Sequence, residues 1–292
     1  MPRPLPLSDF RAVRIVLERE DFGYAPGPEA PPSDLTEEET WRGIMTLPED
    51  VSIRTSNHHG SILRGMDRCW DAWIDLVGSR RDPLHDAILD AADEFQAATF
   101  NSLHGYYRQA FGCLRNALEV MVIATYCQTR RRSKLFWQRE AGKVRIGFRE
   151  ACDGLVNAPR LAALRAKLRQ ELRDSIFDPM IRKADRGGWA RRLYWDLSQY
   201  EHSRPKFRNV DMWQSNGPVF SPRAFTTLAA SFYETSALCL LMVKMARPKF
   251  PLPPKAHEVW TSTAIRPSRI ATVAYSWLFG TGTSETANTS QD

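Results

Sequence analysis

The chain has 292 residues, 43% of them hydrophobic, with nine tryptophans and a formal net charge of +6. This excludes a disordered tail or a small disulfide-stapled domain and suffices for a full core, in one large domain or two small ones. The five cysteines (Cys69, Cys113, Cys127, Cys152, Cys239) are odd in number and form no CxxC pair or Cys/His cluster, so they read as buried free thiols in a reducing cytoplasm.

Charge is unevenly spread. Residues 1–127 carry 12 basic and 20 acidic side chains, residues 128–192 carry 18 and 7, and residues 193–292 carry 10 and 7. Arginine supplies 32 of the 40 cations, which favours bidentate phosphate contact over simple solubility. A basic block on an otherwise acidic chain is the footprint of RNA or another polyanion. A solvated helical face is the competing reading, and a homodimer or a protein partner is the other expected association.

In chain order, residues 1–35 are rich in proline and read as an arm; the opening has no apolar stretch of the kind a secretory signal needs. Thr36-Glu37-Glu38-Glu39 has the form of a capping box and predicts a short helix through Trp41 and Met45. From Ser61, Ile62, Met66, Trp70, Trp73, Ile74 and Val77 recur at helical spacing as far as Gly78, while Arg54 to His59 reads as a loop. Leu84 to about Ser102 and Leu103 to about Gln128 together predict a long helical stretch, with a bend near His104-Gly105. Helices are further expected over 133–153 (helix–turn–helix around Gly142), 159–177, 189–202 and 222–246. The run Arg247-Pro248-Lys249-Phe250-Pro251 ends the last of these. The predicted fold is all-α, a multi-helix bundle of about seven or eight helices with irregular termini, divided into the 1–35 arm, a 36–248 helical domain and a 249–292 Pro-rich linker and C-terminal segment. The stretch 228–245 carries Glu234 and Lys244 and fits a buried helix, so no integral membrane span is expected. The apolar patch at 274–279 would dock on the body, meet a partner or touch a membrane surface.

Two polar stripes stand out. In Trp195-Asp196-Leu197-Ser198-Gln199-Tyr200-Glu201-His202-Ser203-Arg204-Pro205, Ser198 and His202 share a helical face, and Pro205 leaves His202 in the last turn. In the helix from Leu103, the core face is Leu103, Tyr107, Ala110, Leu114, Leu118 and Met121, with Arg108, Arg115 and Glu119 beside it. The expectation is that Arg115 and Glu119 face Ser198 and His202 across an antiparallel helix pair. These four are the candidate catalytic residues; Tyr106, Trp195 and Tyr200 are the candidate stacking residues, and Arg130, Arg131, Arg132 and Arg204 the candidate nucleic-acid contacts. Ordinary structural networks joining helices are the competing reading of both stripes.

The order of these pieces, over about residues 84–246, resembles the HEPN superfamily of bacterial all-helical proteins from phage-defence and toxin-like systems. Active members of that superfamily are metal-independent ribonucleases with an Arg, usually followed by Asn, Asp or His, and then a His a few residues on. Arg115-Asn116 matches the start of the motif; Val120, Met121 and Val122, where the histidine would fall, carry no proton-transfer group. The resemblance implies nucleic-acid or nucleotide contact. Were cleavage retained, Arg115 would stabilise the phosphorane charge and His202 would supply the acid/base function from another helix. No P-loop, GxGxxG or GxSxG is present. No cofactor is expected, and His58-His59 with His85 or His104 lacks carboxylates at a metal-binding spacing. A non-catalytic helical interaction module and an unrecognised metal-dependent enzyme are the alternative functions.

Overall fold

The computed structural model describes residues 46–77, 82–179, 187–201, 218–256 and 269–279. The expected arm, the Thr36 helix, His202, Arg204 and the turn from Trp213 to Gly217 lie outside the described residues. Among those described there is no strand; they form nine α-helices and one 3-10 turn, the all-α bundle expected from the sequence. They are α1 (Leu47–Asp75), α2 (Pro83–Leu103), α3 (Tyr107–Thr129), α4 (Ser133–Glu140), α5 (Phe148–Val156), α6 (Ala162–Leu172), α7 (Trp189–Glu201), α8 (Pro222–Ala246) and α9 (Arg269–Phe279), with the 3-10 turn at Pro159–Leu161.

The centre of the fold is α3. It packs on α2, α8, α7, α5 and α4, and from Met121 to Cys127 every residue is buried. The predicted core face is buried throughout, with Leu114, Leu118 and Met121 fully enclosed. The other apolar helix, α8, is buried without a break from Thr235 to Val243. Both α3 and α8 are long and apolar enough to cross a membrane by length and composition, but 67% and 72% of their apolar windows are buried inside the fold. Ser221 caps α8 by accepting from the Ala224 N–H at 3.2 Å, and Pro222 occupies its first position, where a missing N–H costs nothing.

Two expectations are corrected. The long helical stretch expected to bend near His104-Gly105 folds back as an antiparallel pair. Gly105 takes φ +80, its N–H bonds Ser102 O at 3.2 Å and the Tyr106 N–H bonds Asn101 O at 2.8 Å, the paired bonds that close a helix on a left-handed residue. A Cβ at Gly105 would also strike the backbone of Val219. Asn101 then meets Cys113 and Asn116 meets Glu94, contacts only an antiparallel pair gives. Secondly, the segment from Arg54 to His59 is not a loop: α1 begins at Leu47 and passes through it, breaking helical geometry only at His59 (φ −131, ψ 20). The hydroxyls of Thr55 and Ser56 bond the carbonyls four residues back at 2.8 and 2.7 Å, which hides the helix beneath a polar sequence. The patch at 274–279 belongs to α9, which docks on α8 and α6 with Ile270, Ala271 and Ala274 buried.

Candidate functional site

The two polar stripes meet. Helix α7 lies antiparallel to α3: Phe111 stacks on Tyr200 (4.1 Å, 16°), the Arg115 Nε donates to Ser198 Oγ at 3.2 Å, and the Tyr194 hydroxyl donates to Glu119 Oε2 at 2.8 Å. Arg115 also donates to the Tyr194 hydroxyl, lies 4.7 Å from its ring centroid and stands 3.6 Å from Glu119. Ser198 in turn donates to Tyr194 O at 2.7 Å. From α4, Arg139 reaches Glu119 at 3.9 Å. The sequence reading missed Tyr194 and Arg139. Tyr194 was legible, since it stands one turn before Ser198 on the same helical face.

Tyr194 is the hinge of this cluster. Phe148 of α5 stacks flat on its ring at 3.9 Å and 10°, opposite in chemistry to the guanidinium that also contacts it. Burial, followed by its bond to Glu119, pushes the phenol up to about 12, so it remains a hydroxyl at neutral pH and can donate and accept at once. Arg115, Glu119, Tyr194 and Ser198 are thus linked to one another across the two helices, the pattern of a polar network joining helices. Asn116, the second residue of the Arg-Asn pair, turns away and donates to Glu94 of α2 at 3.2 Å.

The three candidate stacking residues do not converge. Tyr200 is buried against Phe111 in the core. Tyr106 precedes the first residue of α3, at the far end of the bundle from the start of α7. Trp195 alone stands open, 50% exposed on the outer face of α7.

The basic block gathers at the end where α3 finishes and α7 begins. The Arg130 guanidinium donates twice to Gly154 O of α5, at 3.1 and 2.8 Å. Arg191 binds Asp153 and the Phe177 carbonyl, Arg192 grips Asp174 through both nitrogens at 2.8 and 2.7 Å, and Arg169 holds Asp178 at 2.7 Å. Asp153, Asp174 and Asp178 are each paired one to one with an arginine, so the excess of cations over residues 128–192 rests on the basic residues outside these pairs. Arg132 donates to the Tyr126 hydroxyl at 2.7 Å. Of the arginine triplet, then, Arg130 and Arg132 are tied into the fold while Arg131 projects.

Arg131 sits where glycine is the default. It closes α3 at φ +54, its N–H on Gln128 O at 3.3 Å and the next N–H on Cys127 O at 2.7 Å. These are the bonds that Gly105 (φ +80) and Gly142 (φ +69) make at the ends of α2 and α4. Arg173 ends α6 at φ +53. These two arginines are the non-glycine residues with positive φ among the described residues, both are exposed, and both belong to the basic block.

A small cleft lies elsewhere, lined by Val156, Leu161, Leu164, Ile176 and Phe177 with Arg165 and Asp178, and holds none of the candidate catalytic residues. Among the described residues no group of three His, Cys, Asp or Glu is placed to hold a metal ion. His104 Nδ1 faces Phe100 O at 2.9 Å and His85 Nδ1 faces Asp86 at 3.0 Å. Burial raises the thiols of Cys69, Cys113 and Cys152 to about 12, so none is an activated nucleophile. No protein-family model, curated protein or solved structure matches the chain.

Proposed function

We propose that this protein is a HEPN-like helical module that binds RNA through the basic end of its bundle, with the Arg115–Glu119–Tyr194–Ser198 cluster fastening α3 to α7 rather than performing chemistry. The observation that carries the reading is the pair Arg131 and Arg173. A left-handed conformation costs an L-residue about 1–2 kcal/mol that glycine avoids. Retaining a cation at both positions, exposed and at φ +54 and +53, is accounted for by a partner that needs the charge. Lys134, three residues after Arg131, is also exposed, and Asp153, Asp174 and Asp178 are already engaged by other arginines. Contact of this kind neutralises phosphates and carries little sequence information. A defence or toxin-like setting follows from the family resemblance.

The test is the double substitution Arg131→Gly with Arg173→Gly, assayed for binding to labelled RNA over a range of salt. Affinity is expected to fall for every sequence alike. The slope of log K against log salt should become shallower by about 1.4, at about 0.7 for each phosphate of a single strand that is no longer neutralised. Because glycine relieves the backbone at both sites, melting temperature should not fall. A variant with wild-type affinity and slope would overturn the proposal.

A further inference from the structure

Resting on the RNA-binding reading above, we propose that Trp195 is the stacking platform for an unpaired base, and that the ligand of the basic end is therefore single-stranded. Trp195 is half exposed, and among the described residues no aromatic ring stacks on it. Six residues into α7, it stands about 9 Å along the axis from the start of that helix, which is the basic end. Its neighbours one turn back on the helix surface are Arg191 and Arg192, held by Asp153 and Asp174. Helical side chains lean toward the N-terminus of their own helix, so the indole inclines toward Arg191 and Arg192 and the basic end at which α7 begins. An aromatic face beside a positive track is the arrangement that binds single strands, where bases are free to stack while phosphates follow the charge. A duplex keeps its bases within its own stack and gains nothing from the indole.

A built-in control lies at the other end of the molecule. Phe100 is 60% exposed, but it lies near the end of α2, beside the start of α3 and remote from the basic end. The experiment compares wild type, Trp195→Ala, Trp195→Phe and Phe100→Ala, using full-length protein, a fluorescently labelled 12-nucleotide RNA of mixed sequence, and the same RNA annealed to its complement. Wild type should prefer the single strand. Trp195→Ala should weaken single-strand binding by about 5- to 150-fold, the loss of one base–aromatic stack, and erase the preference over duplex. The salt slope should stay unchanged, because no charge is removed. Trp195→Phe should recover most of the affinity, and Phe100→Ala should behave as wild type. Trp195→Ala with wild-type single-strand affinity and an intact salt slope would overturn the stacking assignment alone. Failure of the wild-type protein to bind either RNA would overturn it together with the RNA reading on which it rests.

Discussion

The indole N–H of Trp189 donates to Glu234 Oε1 at 2.7 Å and ties the first residue of α7 to the middle of α8. Burial, with Asp196 adding to it, raises the Glu234 carboxyl above its ordinary value near 4.5, against the opposing pull of the Trp189 bond and Arg192. A carboxyl whose folded-state pKa is raised favours the fold in its neutral form. Its contribution is fully present below pH 4.5 and is lost as pH rises through the raised value. Glu234→Gln keeps an oxygen for the indole and removes the charge. The variant should therefore melt higher than wild type at pH 8, and the gap should close below pH 4.5. Equal melting temperatures at pH 8 would show that the buried charge is without cost.

Tyr194 should matter to stability more than any catalytic residue of similar exposure would. Tyr194→Phe leaves the ring on Phe148 and removes the hydroxyl that receives Arg115 and donates to Glu119. The expected loss is about 1–3 kcal/mol, the cost of leaving partly buried polar groups unpaired, measured by urea denaturation. RNA affinity, compared where both proteins are folded, should be unchanged. A variant as stable as wild type but defective in an RNA-dependent activity would return this cluster to a catalytic role.

The facing of α3 and α7 was legible because each carries polar residues at one-turn spacing beside an apolar stripe, and such stripes need partners. The bounds of α8 were legible from Ser221-Pro222 at one end and Arg247-Pro248 at the other. Tyr200 was misread as a stacking residue because its true partner, Phe111, lies 89 positions away in sequence and only the packing of α7 on α3 brings them together. The first half of α1 was hidden for a local reason: Asn57-His58-His59-Gly60 has the composition of a turn, yet Val51, Thr55, Ser56 and Gly60 are buried, so tertiary packing overrides weak helix propensity. The left-handed Arg131 was invisible because nothing in a run of three arginines marks the one that ends the helix.

Gly188 is the tightest backbone approach that fixes the start of α7. A Cβ there would stand 2.5–2.7 Å from backbone atoms of Ile176 and Asp178, and backbone cannot swing aside as a side chain can. The Gly188 N–H bonds Asp178 O at 2.9 Å, and the Trp189 and Ala190 N–H groups bond Ser175 O and Ile176 O at 2.8 and 2.9 Å. Gly188→Ala should cost about 1–3 kcal/mol, as overpacking does, and should loosen the end of the bundle that carries Arg191 and Arg192. Hydrogen exchange at the Trp189 and Ala190 amides would report it, and undiminished protection there would refute the packing argument.

His59 should give the fold its weakness in mild acid. Its ring stacks on Phe225 at 4.6 Å and 15°, at the one residue where α1 leaves helical geometry. Its Nε2 is buried with no hydrogen-bond partner among the described residues. Burial, and secondarily the neighbouring His58, hold its pKa below 6.5. For a base whose folded-state pKa is depressed, the stabilising contribution is present above pH 6.5 and is lost as pH falls through the lowered value. The melting temperature of wild type should therefore drop more steeply below pH 6.5 than that of His59→Phe, which keeps a flat ring on Phe225 and cannot be protonated. Parallel profiles for the two proteins between pH 8 and pH 5 would exonerate His59 and move the acid sensitivity to other groups.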